Sequence, residues 1–438
     1  DKTSTDVQGA TQTETPTFNT TVTNSNGEKI SITPSLTYPA KLVDPATGQV
    51  TDDSSVTVAG EGTYTINPTT GQVTFTPEPS FTGTATGVTV SLTAGVGYDK
   101  DGDVPADAVK TATAKYTPTV TPVIPTATPA ESTGPQGLVQ TGTVTFTEGD
   151  EVAPINKDSI TLLDESGQPA ASVEAKSPAG DVIGTYTVDK DTGVVTFTPT
   201  DKSYSGDVVP VKVQAADTNG TTVETTYTPK ITPVVPTSED ATSTDIQGAT
   251  QTGKPIFTEG DSRVPMNDDV PATFDDGSTT KTVEGVGTYT VAADGTVTFT
   301  PEPEFTGTAP AVTVVREDVN GTKASATYTP TVLPITKFVD KEGKEIPGYP
   351  TVDGEQPKVE IPGYRFVETK KLNNGDIEHV YEQVTTSYVD ENGTPIPGYP
   401  TEDGQQPKKD IPGYEFVKTV VDENGNTQHI YKQIVTPT

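Results

Sequence analysis

The side chains of this chain that could do chemistry are mainly carboxylates, because its 438 residues include 61 Asp and Glu, two His and no Cys. Catalysis requires a nucleophile or an acid–base pair held in a dry cleft with shifted pKa values. Some carboxylates among so many pair by chance, so a glycosidase-like pair stays open as the alternative. The absence of Cys removes thiol nucleophiles, disulfides and cysteine-based zinc sites. We predict that the chain is not an enzyme.

The two histidines, His379 and His429, lie 50 residues apart beside apolar residues in strand-like segments. A repeated histidine could mark a metal site or a pH-sensitive feature. One ligand in each segment makes a poor metal site, however, because zinc takes three or four protein ligands. We expect both to be exposed strand residues.

Asp99, Asp101 and Asp103 alternate in a short acidic segment that resembles a calcium loop. The segment lacks the Gly at position six and the Glu at position twelve of an EF-hand loop. Asp217-Thr-Asn-Gly and Asp318-Val-Asn-Gly occur at what looks like the same turn. We predict turns at these places, with calcium as the alternative and no other cofactor.

Tyrosines that follow repeated Ile-Pro-Gly sequences are candidates for glycan contact, because sugar faces stack on aromatic rings and Tyr keeps a polar hydroxyl. They are Tyr349, Tyr364, Tyr399 and Tyr414. The competing interpretation is that each tyrosine packs against its own turn.

Lysines within strands could form intramolecular isopeptide bonds, which would replace the missing disulfides. Such a bond needs a buried Lys beside an Asn or Asp and an acid. Lys115 and Lys212 lie in strand-like segments, but no Lys recurs at a matching position along the chain. We therefore do not predict such bonds.

The composition indicates which secondary-structure elements must position these candidate residues. Val, Ile, Phe and Leu sum to 89 of 438 residues, about 20%, which borders on disorder for a chain with a net charge of −33. However, 51 Val against 8 Leu, with abundant Thr, favours β-strands. No run of about 18 apolar residues exists to span a membrane. The negative charge repels phosphate backbones, so nucleic-acid binding is not expected.

Three unequal copies of one module occupy the first three quarters of the chain. Each begins with a Gln-Gly…Gln-Thr sequence and ends with Gly-Thr-Tyr-Thr, Val-Thr-Phe-Thr-Pro and Tyr-Thr-Pro. Apolar residues alternate with Thr, as in Val73-Thr-Phe75, and Gly-containing turns such as Asn219-Gly220 separate the runs. This period of two predicts strands with one buried face, and short strands between turns predict sandwiches.

After Pro334 the repeat shortens to 50 residues. Ile346-Pro-Gly-Tyr recurs at Ile396, and Ile361-Pro-Gly-Tyr recurs at Ile411. Pro-Gly predicts type II turns, and Asn-Gly at residues 374–375 and 424–425 predicts hairpins. Each unit buries little, so we expect it to lean on its neighbour. Proline-spaced segments at residues 121–129 and 232–237 predict semi-rigid spacers between the larger modules.

The module motifs resemble the CshA-type fibril repeat, which builds the stalk of long streptococcal surface adhesins. The carrying motifs are Gln-Gly…Gln-Thr, Gly-Thr-Tyr-Thr-Val, Thr-Val-Thr-Phe-Thr-Pro and Tyr-Thr-Pro, over residues 3–334. The 50-residue units resemble the MucBP repeats of Gram-positive surface proteins, on Tyr388-Val-Asp-Glu-Asn-Gly, Ile411-Pro-Gly-Tyr-Glu-Phe and His429-Ile-Tyr. The resemblance implies a wall-anchored, extracellular bacterial adhesin whose anchor lies beyond this segment.

We therefore predict an all-β, elongated rod of tandem antiparallel β-sandwich modules followed by two small β-sheet repeats. The predicted boundaries are 1–126, 127–237, 238–334, 335–384 and 385–438. The predicted function is a structural stalk that projects a binding domain from the cell wall. The alternative is direct binding of host ligands by the two C-terminal repeats. Expected partners are host matrix proteins or mucin glycans and neighbouring domains of the same adhesin. We expect no nucleic-acid binding and no membrane insertion. We also expect the rod to be monomeric.

Overall fold

The computed structural model describes residues 1–23, 27–95 and 109–435, and every regular element among them is a β-strand. The chain divides into two compact units, Asp1–Pro233 and Val234–Thr438. The first unit holds modules 1 and 2, and the second holds module 3 and small repeats 1 and 2. The prediction of tandem all-β modules followed by small β-sheet repeats is confirmed.

The strands of module 1 are β1 Lys2–Val7, β2 Gln12–Glu14, β3 Thr21–Thr23, β4 Lys29–Ser31, β5 Ala40–Leu42, β6 Ser55–Val58, β7 Gly62–Ile66, β8 Val73–Pro77, β9 Gly83–Thr84, β10 Val88–Gly95 and β11 Val109–Thr121. One sheet has the order β1-β11-β10-β5, with β9 also paired to β11, and the second has the order β2-β8-β7-β6. The strands β3 and β4 form a separate hairpin.

The strands of module 2 are β12 Thr126–Thr128, β13 Ala130–Pro135, β14 Gln140–Thr143, β15 Thr145–Thr147, β16 Ile155–Leu163, β17 Pro169–Ala170, β18 Ser172–Lys176, β19 Val182–Val188, β20 Val194–Pro199, β21 Gly206–Asp207, β22 Val211–Asp217 and β23 Thr222–Thr232. The sheets β13-β23-β22-β16-β17 and β14-β20-β19-β18 correspond to those of module 1. Segment 121–129, predicted as a spacer, contains β12, which pairs with β15.

The strands of module 3 are β24 Thr237–Glu239, β25 Ala241–Asp245, β26 Gln251–Gly253, β27 Ile256–Thr258, β28 Thr273–Phe274, β29 Thr280–Val283, β30 Gly287–Val291, β31 Val297–Pro301, β32 Gly307–Thr308, β33 Val312–Glu317 and β34 Lys323–Val332. Its sheets are β25-β34-β33-β28 and β26-β31-β30-β29. The repeated motifs therefore occupy repeated strand positions.

Alternation along the strands builds each core. In β8, Val73 and Phe75 are fully buried while the intervening Thr74 and Thr76 are not. The Phe75 ring lies 4.8 Å from Tyr64 of the same sheet, and Tyr64 meets Tyr116 of the opposite sheet edge-on at 6.3 Å. These aromatic rings fill much of the space between the two sheets, so few large apolar residues suffice for each module.

One feature departs from a purely antiparallel sandwich. In module 1 the first strand, β1, lies parallel to the last strand, β11, with Lys2 opposite Tyr116 and Val7 opposite Thr121. In modules 2 and 3 the equivalent strands, β13 with β23 and β25 with β34, are likewise parallel neighbours. The short strands β12 and β24, which precede them, pair with β15 and β27. The chain therefore enters and leaves this strand pair at opposite ends, which alternation of residue types along a strand does not predict.

Small repeat 1 contains β35 Ile335–Asp340, β36 Val352–Asp353, β37 Tyr364–Lys371 and β38 Ile377–Gln383, and small repeat 2 contains β39 Thr385–Asp390, β40 Glu402–Asp403, β41 Tyr414–Val421 and β42 Thr427–Gln433. The sheet orders are β36-β35-β38-β37 and β40-β39-β42-β41, again with the first strand parallel to the last. The predicted type II turn is present at Ile346–Tyr349, where Gly348 has φ +86° and Tyr349 N–H donates to Ile346 O. The predicted hairpin at Gly375, with φ +98°, connects β37 to β38.

Candidate functional site: terminal strands and module junctions

A buried polar network joins the terminal strands of each large module to the opposite sheet. In module 1, the Ser4 hydroxyl on β1 donates to Gln12 Oε1 on β2 at 2.5 Å. The Tyr116 hydroxyl on β11 lies 2.5 Å from the same Ser4 oxygen and is therefore the donor of that pair. Gln12 Nε2 donates to the carbonyl of Thr119 on β11 at 2.9 Å. Three strands from two sheets are thus connected by three hydrogen bonds.

The same Ser–Gln–Tyr network recurs in the other large modules. It consists of Ser132, Gln140, Tyr227 and the Lys230 carbonyl in module 2, and of Ser243, Gln251, Tyr328 and the Thr331 carbonyl in module 3. Burial raises the pKa of Tyr116, Tyr227 and Tyr328 above that of a free tyrosine, so the donors stay protonated at neutral pH. This network was not predicted from the sequence, although the constant eight-residue spacing from Ser to Gln could have indicated it.

Modules 1 and 2 are joined by specific contacts. Asn219, in the turn after β22, is buried and donates from Nδ2 to the Gln8 carbonyl of module 1 at 3.1 Å. The neighbouring Gly9 has φ +88°, and a Cβ on it would lie 2.5 Å from Asn219 Oδ1, so another residue there would be strained and would displace the Asn219 side chain. The Gln8 side chain accepts from Val123 N–H at 3.1 Å, and Val123 is buried. The proline-spaced segment is thus fixed to module 1 where it begins.

The junction between module 3 and small repeat 1 is built around a buried carboxylate. Asp376 is 5% exposed and accepts from the Ile335 N–H at 3.0 Å, where the first strand of the repeat begins. Gln247 of module 3 donates to both oxygens of the same carboxylate at 3.2 and 3.3 Å. Asn374 Nδ2 also donates to Asp376 and to the Glu304 carbonyl of module 3. The hairpin of small repeat 1 is therefore connected to module 3 by side-chain hydrogen bonds.

The prediction that His379 and His429 are exposed is wrong, because each is only 4% exposed. His379 Nε2 lies 2.7 Å from the Gln356 carbonyl, so it carries the proton, and Nδ1 accepts from the Thr369 hydroxyl at 2.8 Å. The ring lies 5.5 Å from the Phe338 ring. His429 has the equivalent contacts in small repeat 2. Each histidine is a core residue, and both of its ring nitrogens form hydrogen bonds within the repeat. The alternating pattern of the strand did not indicate this burial, because histidine is a polar residue.

The four tyrosines predicted to contact glycans are all half-buried against the small cores. Tyr364 also lines a surface groove with Phe366, Tyr381 and Lys358, whose Nζ lies 4.2 Å from the centre of the Phe366 ring. Tyr414 lines the matching groove of small repeat 2. Tyr349 and Tyr399 instead contact Phe338 and Tyr388 edge-on, so they pack within the repeats.

The calcium candidates Asp99, Asp101 and Asp103 lie outside the described residues. Within the part of the chain that the structure describes, no group of three or more acidic or histidine side chains could hold a metal ion. Asp217 and Asp318 are buried in turns, and each accepts backbone N–H bonds from its own turn. Lys115 and Lys212 are exposed, so neither meets the requirement of an isopeptide bond for a buried lysine.

The fold and its polar networks define a protein of tandem β-sandwich repeats. Residues 1–120, 122–231 and 233–332 match the family described as the surface adhesin CshA repetitive domain, and the chain belongs to this family. This places the protein among surface adhesin repeats at an extracellular location. Residues 334–383 and 384–433 match the SSSPR-51 domain. The similarity of these two units to MucBP repeats stays a prediction.

Solved structures similar to this chain are cadherin ectodomain fragments. Human CDH23 EC21–23 is 14% identical, over 74% of this chain and 96% of that chain, with a TM-score of 0.27. Protocadherin gamma B2 domains 3–6 are 10% identical, over 100% and 99% of the chains, with a TM-score of 0.31. These scores are too low to carry an argument. The search of curated proteins found no significant match. No helix among the described residues is long and apolar enough to cross a membrane.

Proposed function

We propose that this chain is a stalk segment of a cell-wall-anchored, Gram-positive surface adhesin, which projects a binding domain away from the cell. The observation that carries the proposal is that consecutive modules within each unit are connected by side chains. Asn219 contacts Gln8 in the first unit, and Gln247 contacts Asp376 in the second. A stalk needs such ordered junctions, because flexible linkers would let the modules collapse onto one another. The acidic surface, with a net charge of −33, keeps neighbouring stalks apart.

Small-angle scattering of the full chain tests the predicted extension. Strands rise about 3.3 Å per residue, so five units in series should reach on the order of 150–200 Å. A compact globule of 438 residues would instead have a radius of gyration of about 22 Å. A measured value near that figure would refute the stalk.

The ordered junction has its own test with a matched control. Gly9→Ala forces a Cβ against Asn219, whereas Gly60→Ala changes a glycine of similar positive φ that has open space around it. Spin labels on Thr57→Cys and Asp191→Cys report the distance between modules 1 and 2, because the chain has no Cys of its own. We expect Gly9→Ala to broaden the distance distribution and Gly60→Ala to leave it unchanged. Equal distributions in both variants would contradict a fixed junction.

A second candidate function is direct binding of mucin glycans by the small repeats. Its support is that Tyr364 and Tyr414 line equivalent grooves beside a lysine and a phenylalanine. A glycan and matrix-protein panel on the full chain should show binding that Tyr364→Ala with Tyr414→Ala abolishes. Tyr349→Ala with Tyr399→Ala, outside the grooves, is the control. Equal mucin binding by a chain that ends at Pro334 would remove this candidate.

A further inference from the structure

The two kinds of module share one topological feature although their sheets differ. In all five, a strand near the start of the module lies next to the last strand and runs parallel to it, over five or six residue pairs. This earlier strand is the first of the module in module 1 and in the small repeats, and it follows the short strand β12 or β24 in modules 2 and 3. The strand pairs are β1 with β11, β13 with β23, β25 with β34, β35 with β38, and β39 with β42. In module 1 the pair is extended by a bond from Gln8 N–H to the Thr121 carbonyl at 2.8 Å.

This arrangement determines how the module responds to a pull on its two ends. The chain enters the earlier strand at one end of the pair and leaves the last strand at the other end. A tensile force therefore draws the two strands past each other along their length. The bonds of the ladder then carry the load together, whereas an antiparallel terminal pair would place both ends on one side and open one bond at a time.

The Ser–Gln–Tyr network adds side-chain bonds to the same pair. Ser243 on β25 and Tyr328 on β34 are bonded to each other at 2.5 Å, across the two strands that would slide. Gln251, on the facing sheet, is bonded to Ser243 and to the Thr331 carbonyl of β34. Sliding therefore requires these buried hydrogen bonds to break together with the backbone ladder.

We propose that these modules bear mechanical load, with the parallel terminal strands as the element that resists extension and, in the three large modules, the Ser–Gln–Tyr network as its reinforcement. The stalk proposal concerns reach, and this inference concerns resistance to pulling. It would hold for any tether attached at both ends, so scattering that refuted the stalk would leave it standing.

Single-molecule pulling on module 3 within the full chain tests the geometry. Glu239→Cys combined with Leu333→Cys attaches the handles at opposite ends of the terminal pair. Glu239→Cys combined with Lys323→Cys attaches them at the same end, because the adjacent Ser238 hydroxyl already bonds to the Ser325 carbonyl. We expect roughly two-fold or greater unfolding force in the first geometry, since the ladder is loaded all at once. Equal forces in the two geometries would overturn the proposal.

Two buried tyrosines of module 3 provide a matched test of the network. Tyr328 and Tyr289 are both fully buried, and each hydroxyl makes one hydrogen bond, to Ser243 and to the Pro310 carbonyl respectively. Only Tyr328 bridges the terminal strands. Tyr328→Phe should lower the unfolding force when the handles are at residues 239 and 333, and should not lower it when they are at residues 239 and 323. Tyr289→Phe should lower the unfolding force in neither geometry by more than its effect on equilibrium unfolding by denaturant accounts for. Equal losses in both variants would assign the network an ordinary stabilising role and refute reinforcement.

Pulling the full chain by its ends gives an independent readout. The large modules should release roughly 330–430 Å each, and the small repeats about 165–180 Å each, at 3.3–3.6 Å per residue. Three long and two short steps, each at resolvable force, are expected. Extension without resolvable steps would refute load bearing in the modules.

Discussion

The two small repeats are nearly the same fold, yet they fill one corner of it with opposite chemistry. Small repeat 1 has Phe338, Val352 and Val359 where small repeat 2 has Tyr388, Glu402 and Lys409. In small repeat 2 the Lys409 ammonium pairs with the Glu402 carboxylate and lies 5.0 Å from the Tyr388 ring centre. In small repeat 1, Val352 packs against the core instead. The paired charges of small repeat 2 therefore lie where small repeat 1 has two valines.

The buried residues around these three positions make the same contacts in the two small repeats. His379 and His429 make the same two hydrogen bonds, and Tyr381 and Tyr431 each bond to a backbone carbonyl 22 residues earlier at 2.6 and 2.7 Å. The buried polar bonds are therefore common to this fold, whereas the three variable positions accept either an apolar or a charged set of side chains.

The largest expected effect concerns the buried histidine that the two small repeats share. His379→Ala and His429→Ala each remove a buried ring and leave its partners unbonded, so each should cost its own repeat about 3 kcal/mol. The chain has only two histidines, so the ring-proton NMR signal of the remaining one reports the other repeat. We expect that signal to stay native in each variant. Unequal losses in the two repeats would show that the shared core is not equivalent.

The next effect concerns the corner itself. Tyr388→Phe removes a buried hydroxyl that donates to the Pro407 carbonyl at 3.3 Å and should destabilise small repeat 2 by about 1 kcal/mol. The triple variant Tyr388→Phe, Glu402→Val, Lys409→Val recreates the apolar set and should recover most of that loss. Thermal unfolding followed by the His429 signal measures both. A triple variant less stable than the single one would mean that the two sets are not interchangeable.

The charged corner also predicts a pH dependence. Burial, with a contribution from Glu402, raises the pKa of Tyr388 to about 12, whereas the hydroxyl of an unfolded chain titrates near 10. The contribution of the protonated Tyr388 hydroxyl to the stability of small repeat 2 is fully present below pH 10. It is lost as the pH rises to about 12. Denaturant unfolding of the parent and of Tyr388→Phe should therefore converge across this window. A stability difference that stays constant from pH 9 to pH 12 would contradict the assignment.

The smallest effect concerns the residue that begins the first strand of each repeat. Asp376 accepts from Ile335 N–H, and its counterpart Asn426 accepts from Thr385 N–H at 2.9 Å. Asp376→Asn should therefore leave small repeat 1 folded and weaken the side-chain bonds from Gln247 and Asn374, by less than about 1 kcal/mol. Amide exchange at Ile335 should stay slow. Rapid exchange there would show that the charge itself is required.

Much of the fold could be predicted from the sequence because alternation and turns are local properties. Thr beside Val and Phe indicated which strand faces are buried, and Pro-Gly indicated the type II turns. The candidate site could not be predicted in the same way. Ser4, Gln12 and Tyr116 are polar residues far apart in the chain, and only the parallel pairing of β1 with β11 brings them together.

The series of thin, Thr-rich β-modules is encoded locally, because the few apolar residues fall on alternate positions and the motifs recur. Which strands are neighbours was fixed only in the tertiary structure, and with it the burial of the histidines and the parallel pairing of an early strand of each module with its last strand. The physical reason is that strand pairing is set by contacts over the whole module, whereas the alternating pattern reports only which face of a strand meets the core.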